Sequence, residues 1–342
     1  MGKRDIKNLT LEELRKEIVD MQEPSYRARQ IFFWLYQKGV NDSRQMSNIP
    51  KALRDKLDKN YYISALELSQ HLKSTDGTEK FLFKLRDGNF IETVLIYAKN
   101  RKTICLSTQV GCKFACTFCA SGLKGLIRNL TPSEITNQIL FLHHNFKHKI
   151  TNYVLMGMGE PLDNYENVSK AITIMNDPAG MAIGARRITI STCGIIPGME
   201  KLKDLGLQIN LSVSLHATNN GLRDEFMPIN RKYPLEELIE ACEEYIRSSG
   251  RIITLEYILI KGKNDSLKDA DELEPIAKRL KAKVNLVPCS PIPGQNFRSP
   301  ERRSINIFMN RLLKRGANAT LRESKGKDIK AACGQLAGKV KG

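Results

Sequence analysis

From about residue 101, the chain alternates short apolar runs rich in β-branched residues with stretches in which apolar residues recur at helical spacing. The predicted strands are Thr103–Thr108, Tyr153–Met156, Arg187–Ile190, Ile209–Leu215, Ile252–Ile260 and Val284–Val287. The predicted helices are Pro132–His144, Tyr165–Met175, Gly198–Leu205, Leu235–Ser248, Leu267–Leu280 and Glu301–Arg315. This alternation predicts an α/β fold of parallel β-α-β units, and six units favour a partial (β/α)6 barrel over a closed eight-stranded one. An open sheet with helices on both faces is the alternative.

The first hundred residues have a different pattern. Leu9–Met21 and Tyr26–Gly39 carry apolar residues at helical spacing, and the segment around them is basic. Further on, Asp87-Gly88 separates the strand-like runs Lys80–Lys84 and Phe90–Tyr97, which is typical of a β-hairpin. The sequence therefore predicts a small basic helical domain over 1–60, a β-hairpin linker over 61–100 and the barrel over 101–342.

The formal net charge of +17 favours a polyanionic partner, because Lys and Arg release condensed counterions when they bind phosphates. The cations concentrate near the C-terminus, at Arg298, Arg302, Arg303, Arg311, Lys314, Arg315, Arg322, Lys325, Lys327, Lys330, Lys339 and Lys341. Charge alone does not separate nucleic acid from a membrane surface. The sequence has no apolar run of the roughly 20 residues that cross a bilayer, and Met1–Leu11 lacks the apolar region of a signal peptide. We therefore expect a cytoplasmic protein.

The sharpest motif is Cys112-Lys-Phe-Ala-Cys116-Thr-Phe-Cys119, directly after the first predicted strand of the barrel. In a reducing compartment, closely spaced cysteines indicate metal ligands rather than disulfides. A structural zinc site usually takes four ligands from two separated pairs, and the sequence has no second Cys-x-x-Cys. Three thiolates on a 4Fe–4S cube leave one iron open to a substrate's amine and carboxylate. The motif therefore predicts an iron–sulfur cluster with one vacant corner.

A second group of residues follows the other predicted strands. Met156-Gly-Met-Gly-Glu-Pro161 comes after the second strand, and its glycines allow close approach of the backbone to a ligand. Ser191, Ser214-Leu215-His216 and Ser290 lie at or after the third, fourth and sixth strands. Because ligand sites in parallel barrels collect at the carboxyl ends of the strands, all of these residues should face one mouth.

Two isolated cysteines, Cys105 and Cys333, carry little signal by themselves, because a lone cysteine is more often a small buried hydrophobe than a nucleophile. Their surroundings change this. Cys-x3-Cys-x2-Cys after the first barrel strand resembles the signature of the radical S-adenosylmethionine (radical SAM) superfamily. Nearly all of the chain resembles the RlmN family of dual-specificity rRNA and tRNA adenine C2-methyltransferases, which belongs to this superfamily. The motifs shared with that family are Glu92-Thr-Val, Cys105-x6-Cys112, Met156–Leu162, Ser214–His216, Met227–Asn230 and Ala332-Cys333-Gly-Gln-Leu336.

The resemblance implies a 4Fe–4S cluster on Cys112, Cys116 and Cys119, and two molecules of S-adenosylmethionine per turnover. It implies methylation of C2 of adenine 2503 in 23S rRNA and of adenine 37 in tRNA, with a low-potential electron donor such as flavodoxin. A cytoplasmic monomer is also expected. Gly159, Glu160, Ser191, Ser214, Leu215, His216 and Ser290 resemble the cofactor-binding positions.

The resemblance also implies catalytic roles. Cys333 would take a methyl group, and a 5′-deoxyadenosyl radical would abstract hydrogen from it. The resulting carbon radical would add to C2 of the adenine. Cys105 would release the product by forming a transient disulfide with Cys333, and Glu92 resembles the proton acceptor.

Two positions depart from the family pattern, since Ser290 stands where Asn is usual and Cys193 where Ser is frequent. Three other functions stay open. A Cfr-type adenine C8-methyltransferase shares the architecture, but Pro161 after Met-Gly-Met-Gly-Glu favours C2. A radical enzyme acting on a small molecule is less compatible with Cys333 and the basic charge. An RNA-binding iron–sulfur sensor is the alternative outside the enzymes.

Overall fold

The computed structural model describes residues 2–146 and 149–338. Lys339 and Lys341 of the basic C-terminus lie outside the described residues. The helices are α1 Leu11–Asp20, α2 Tyr26–Tyr36, α3 Lys51–Asn60, α4 Ala120–Leu123, α5 Pro132–Phe146, α6 Tyr165–Asn176, α7 Ile196–Lys203, α8 Asn220–Phe226, α9 Leu235–Ser249, α10 Leu267–Arg279 and α11 Arg302–Lys314. In these ranges, no helix is both long enough and apolar enough to cross a bilayer.

The strands are short, and most belong to one sheet. They are β1 Arg4–Asp5, β2 Tyr61–Tyr62, β3 Glu67–Lys73, β4 Glu79–Lys84, β5 Phe90–Ala98, β6 Arg101–Cys105, β7 Gln109–Cys112, β8 Gly125–Asn129, β9 Asn152–Leu155, β10 Ile188–Thr192, β11 Asn210–Ser214, β12 Thr254–Leu259, β13 Lys283–Pro288 and β14 Asn318–Leu321. Among the described residues, ten strands form one sheet in the order β14-β13-β12-β11-β10-β9-β6-β5-β4-β3.

The parallel part of this sheet consists of β6 and β9 to β14, and helices lie in the connections between its strands. The first and last strands of the sheet do not pair with each other, so the sheet is open. This confirms the α/β fold and the partial barrel. The six predicted strands are present, and β14 adds a seventh parallel strand that the sequence analysis missed. The sequence of β14, Asn-Ala-Thr-Leu, lacks the run of β-branched residues on which the strand predictions rested.

The hairpin predicted around Asp87-Gly88 is present as β4 and β5. However, β5 also pairs antiparallel with β6, with Val94 opposite Cys105, so this segment continues the barrel sheet. The strand β3, which was not predicted, pairs with β4 at the outer edge. Glu92, in the segment predicted as a linker, therefore lies on the strand that neighbours Cys105 in one sheet.

The N-terminal helices have a core of their own. Thr10 caps α1 through reciprocal hydrogen bonds with Glu13, which is a capping box. The fully buried side chains of α1 and α2 pack together, and they also meet Leu140 of α5 and Ile174 of α6. The N-terminal unit is therefore attached to the helical outer face of the barrel.

The inner face of the barrel is unusually polar. Thr189, Asn210, Thr254, Asn285 and Thr320, from successive parallel strands, line one internal cavity. Closed barrels normally fill this space with branched apolar side chains. Here the inward positions leave a cavity of about 740 Å³, which reaches Cys105 and Cys333.

Candidate active site

The three motif cysteines lie on a short hairpin at the mouth of the barrel. Cys112 ends β7, Cys116 lies in the following loop, and Cys119 stands immediately before α4. The hairpin is tight at Gly111, which has φ +77°, and a Cβ there would lie 1.9 Å from the carbonyl oxygen of Gly125. Glycine is therefore required for β7 and β8 to approach and present the cysteines.

The three thiols line a cavity of about 170 Å³. Gly159, Glu160, Ser191, Ser214 and His216 line the same cavity, as the sequence predicted for one mouth. Leu215 packs in the core, and neither Leu215 nor Ser290 is among the described residues that line the cavity. The Leu215 side chain lies in the core because alternate residues of a strand point to opposite faces of the sheet.

The donor set fits a cluster. Within residues 2–146 and 149–338, no three His, Cys, Asp or Glu side chains converge on a single-ion site. A 4Fe–4S cluster is held differently, because each thiolate binds a separate iron of the cube and the ligands stand apart around it. Three thiols on one loop, facing one cavity, match that arrangement.

Apolar rings close the loop side of the cavity. Phe114 and Phe118 line it, and the ring of Phe118 meets His216 edge-on at 4.8 Å between centroids. Burial raises the pKa of Cys112 to about 12 and raises that of Cys116 and Cys119. Apolar rings therefore cover one side of the cavity that the three thiols line.

Glu160 is a buried carboxylate whose oxygens accept backbone N–H groups. Oε1 accepts from Leu162 at 3.0 Å and Oε2 accepts from Cys193 at 2.8 Å. Burial raises the pKa of Glu160, and these hydrogen bonds act in the opposite direction. The carboxylate is fixed at the cavity wall, where it can accept a hydrogen bond from an ammonium group.

His216 has a defined tautomer. Its Nδ1 accepts the backbone N–H of Ile258 at 3.0 Å, so the proton of the neutral ring sits on Nε2. Burial, followed by the positive charge of Arg223, lowers the pKa of His216 to about 3. With φ of +60°, His216 also adopts a backbone conformation that is costly for a residue with a side chain. The ring is thus a neutral N–H donor at the cavity.

Gly159 supports a direct prediction. Its φ is +99°, and a Cβ there would lie 2.5 Å from Cβ of Gln109. Gly159→Ala should weaken S-adenosylmethionine binding at least about fivefold, because roughly 1–3 kcal/mol of backbone strain displaces the loop that carries Glu160. Isothermal titration of the cofactor into the protein measures this. Gly184→Ala is the control, since a Cβ at Gly184 meets no atom within 4 Å. Unchanged affinity of the Gly159 variant would contradict the assignment.

Cys105 and Cys333 line the same larger cavity, although they are 228 positions apart in the chain. Cys105 is buried on β6, whereas Cys333 is exposed in the C-terminal segment, and both are free thiols. Burial and the nearby sulfur of Cys333 raise the pKa of Cys105 to about 12. Cys333 also lines the smaller cavity, so it lies where the two cavities meet.

Arg322, which the sequence analysis counted with the basic residues of the C-terminus, lies inside the site. It lines both cavities, beside Cys333 and the buried Glu256, and electrostatic interaction with Cys333 raises its pKa. Sequence reasoning did not assign Arg322 or Glu256 to the site, because neither residue belongs to a spaced motif. Arg322 follows β14, and residues that follow a parallel strand are expected at the mouth of the barrel. This signal could be used only if β14 had been predicted.

The segment that carries Cys333 is fastened to the cluster loop. The carbonyl of Gly334 accepts the N–H of Ala120 at 2.7 Å, and the carbonyl of Leu336 accepts the hydroxyl of Ser121. Glu92 holds the segment's end, since its Oε2 accepts the N–H groups of Ala337 and Gly338 at 2.7 and 2.9 Å. The described residues that line the two cavities do not include Glu92.

Glu92 is also paired with Lys80 at 2.9 Å, and both side chains are buried. Glu92→Gln should lower the free energy of unfolding by roughly 3 kcal/mol, because it leaves the Lys80 ammonium buried without its partner. It should also speed hydrogen exchange of the amides in 326–338. The double variant Glu92→Gln/Lys80→Met should recover part of the stability. Wild-type stability and exchange in the single variant would show that this ion pair does not hold the segment.

The comparisons with known proteins agree with this geometry. Residues 106–273 match the radical SAM superfamily, and residues 4–63 match the ribosomal RNA large subunit methyltransferase N-terminal domain. The chain is 46% identical over 334 residues to a probable dual-specificity RNA methyltransferase RlmN of Clostridium novyi, covering 97% of each protein. The chain belongs to the RlmN family of radical SAM RNA methyltransferases.

Other members of the family and one solved structure extend the agreement. The probable RlmN of Caldicellulosiruptor saccharolyticus is 45% identical over 335 residues, covering 98% of this chain and 97% of the relative. A radical SAM methyltransferase from Sphaerobacter thermophilus superposes with a TM-score of 0.92 at 43% identity, covering 97% of this chain and 99% of that one. The radical SAM fold and the enzyme class predicted from the sequence are therefore confirmed.

Proposed function

We propose that this RlmN-family enzyme methylates C2 of adenine 2503 in 23S rRNA and of adenine 37 in tRNA, through a methyl group carried on Cys333. The observation that carries this proposal is the position of Cys333. It lies where a cavity lined by three loop thiols meets a cavity lined by Cys105. One sulfur at that junction can accept a methyl group on one side and be attacked by a second thiol on the other.

Cys112, Cys116 and Cys119 hold the cluster in this proposal, and S-adenosylmethionine occupies the cavity beside it. When bound, the cluster supplies the electron that cleaves the cofactor to methionine and a 5′-deoxyadenosyl radical. Glu160 accepts a hydrogen bond from the cofactor's ammonium group, and His216 donates from Nε2. Ser191 and Ser214 complete the polar lining. The assignments of Leu215 and Ser290 to the cofactor rest on family resemblance alone.

Cys333 acts twice. As a thiolate it would attack the methyl carbon of one S-adenosylmethionine, forming an S–CH3 bond and displacing S-adenosylhomocysteine. Loss of one hydrogen atom from this S-methyl group to a 5′-deoxyadenosyl radical would leave a carbon radical on Cys333 that can add to C2 of adenine, and the adduct would then give up one electron to the cluster and the C2 proton. The Cys105 thiolate would attack the sulfur of Cys333, the carbon–sulfur bond would break with its electron pair on carbon, a proton would complete the methyl group, and a Cys105–Cys333 disulfide would remain. Two cofactor molecules are consumed per turnover.

Glu92 accepts the proton that C2 loses. In the structure its carboxylate is bound to the backbone of Ala337 and Gly338, so this role needs the end of the C-terminal segment to move aside. Burial raises the pKa of Cys105, so attack by the thiolate needs Cys105 to lose its proton first. Arg322 offers a positive charge next to both thiols.

The N-terminal unit supplies RNA contacts in this proposal. Two of its aromatic rings are exposed and lie next to cations: Arg27 is 4.9 Å from the centroid of Tyr26, and Lys38 is 5.6 Å from that of Phe33. Splayed RNA bases stack on such rings, while the cations meet phosphates. Near the C-terminus, by contrast, Arg311 and Arg315 are paired with carboxylates of α10. A monomer that takes electrons from a flavodoxin-like donor completes the proposal.

Anaerobic reconstitution with iron and sulfide, followed by reaction with 23S rRNA and tRNA transcripts, tests the proposal. Nucleoside mass spectrometry should find 2-methyladenosine, and the supernatant should contain 5′-deoxyadenosine. Transcripts with guanosine in place of the target adenosine are the control. 8-Methyladenosine as the main product would overturn the C2 assignment, and the absence of 5′-deoxyadenosine would contradict radical chemistry altogether.

A further inference from the structure

Arg223 heads the set of large side chains that the barrel buries completely. Within the described part of the chain its hydrogen bonds all go to uncharged oxygens. It donates to Asn230 Oδ1 at 2.8 Å and to the carbonyls of Cys193, Ser214 and Leu215 at 2.9, 3.2 and 3.3 Å. A buried guanidinium stays charged and is costly to desolvate unless a negative charge faces it. These four oxygens accept hydrogen bonds from Nε, Nη1 and Nη2, but among the described residues no carboxylate pairs directly with the charge.

The four acceptors belong to segments that line the cofactor cavity. Ser214 ends β11 and Leu215 follows it, while Cys193 follows β10. The peptide around Cys193 links Arg223 to Glu160, because its carbonyl accepts from Arg223 while its N–H donates to Glu160. The Arg223 side chain therefore connects the backbone at the ends of β10 and β11. Through Cys193 it is also linked to the carboxylate of Glu160.

The helix that carries Arg223 also touches the cluster loop. The carbonyl of Phe226, the last residue of α8, accepts the N–H of Thr117 at 3.0 Å. The rings of Phe118 and Phe226 meet edge-on at 6.3 Å. The guanidinium of Arg223 donates to the carbonyl of Cys193, and Cys193 lines the same cavity as Cys116, so the positive charge lies next to that cavity. The nearest carboxylate on its own helix, Asp224, is reached only through the amide of Asn230.

We propose that Arg223 is a positioning residue that serves as the fixed countercharge of the iron–sulfur cluster while its hydrogen bonds hold the cofactor-binding strand ends in place. This inference rests on the proposed cluster site. Thiolate ligands and sulfides give the cluster net negative charge, and a buried cation next to the cavity that the three loop thiols line favours the reduced, more negative state. Groups behind the ligands tune metal centres in this way.

The test compares Arg223→Met, which removes the charge, with Arg223→Lys, which keeps the charge but cannot reach four oxygens from one ammonium. Arg231→Met is the control, because Arg231 is exposed just beyond the same helix. Each protein is reconstituted anaerobically, and its midpoint potential is measured by redox titration followed by electron paramagnetic resonance, without S-adenosylmethionine. The dissociation constant of S-adenosylmethionine is measured separately, and thermal melting reports folding.

Arg223→Met should shift the midpoint potential to more negative values and weaken cofactor binding at least tenfold. Arg223→Lys should keep the wild-type potential but bind the cofactor more weakly, and Arg231→Met should match wild type in both. A wild-type potential in Arg223→Met, or an equal shift in both Arg223 variants, would overturn the proposal. If Arg223→Met does not fold, the test rests on Arg223→Lys, because a shifted midpoint potential in that variant would overturn the proposal. A wild-type protein that binds no cluster would instead contradict the proposed function.

Discussion

Cys333→Ala is expected to lower the rate of RNA methylation by roughly 10³-fold or more, because Cys119, the other described cysteine that lines both cavities, is committed to the cluster in this proposal. The substitution removes the methyl acceptor but leaves the three loop thiols and the cofactor-binding residues intact. Methylation is measured by nucleoside mass spectrometry after single-turnover reaction with an rRNA fragment. The iron content of the variant should equal that of wild type, which separates loss of the relay from loss of the cluster.

Cys105→Ala should fail differently. The variant can still accept a methyl group and attach it to RNA, but it lacks the thiol that releases the product. A covalent protein–RNA adduct should therefore accumulate on denaturing gels. Cys242→Ala is the matched control, because Cys242 is buried on α9, away from both cavities, and should leave methylation unchanged. Full activity of Cys333→Ala, or the same adduct in both site variants, would contradict the relay.

Cys116→Ala is expected to have the second large effect, the loss of the cluster. The bound iron should fall from about four atoms per chain to fewer than about one, since two thiolates cannot hold the cube on one loop. Iron analysis and the absorbance of anaerobically reconstituted protein measure this, and 5′-deoxyadenosine formation should vanish with the iron.

Cys193→Ser provides a close control for the cluster prediction. Cys193 lines the same cavity as the three loop thiols, yet its position follows β10 rather than the hairpin. Cys193 lies outside the Cys-x3-Cys-x2-Cys motif, so the serine variant should keep its iron. Loss of iron from Cys193→Ser, or its retention in Cys116→Ala, would show that the ligand set has been assigned wrongly.

Strong local patterns in the sequence predicted most of the barrel. The runs that became β9 to β13 are rich in apolar and β-branched residues, and the intervening helices have a clear apolar face. The sequence patterns of β3, β14 and the hairpin of β7 and β8 are weak, and these elements were not predicted. Those strands are short, and their pairing depends on distant partners rather than on local sequence. Cys112 was thus placed after a strand, whereas it ends β7.

The site was predicted to the extent that it consists of spaced motifs. The loop thiols, Gly159, Glu160 and His216 all line the cavity. Arg223, Glu256 and Arg322 came into view only in the structure, because their roles arise from burial and tertiary contact. Glu92 was predicted as a proton acceptor, and the structure adds contacts with Lys80 and with the end of the C-terminal segment. The contact with the C-terminal segment spans more than two hundred residues and leaves no spacing signal.

Transfer of an isotopic label tests the central claim most directly. Protein is first methylated on Cys333 with S-adenosylmethionine that carries a CD3 group, freed of excess cofactor, and then reacted once with RNA and unlabelled cofactor. The account predicts deuterium in the 2-methyl group of the adenosine product and one deuterium in 5′-deoxyadenosine. Fully unlabelled methyladenosine, formed while the label stays on the protein, would show that Cys333 does not carry the transferred carbon.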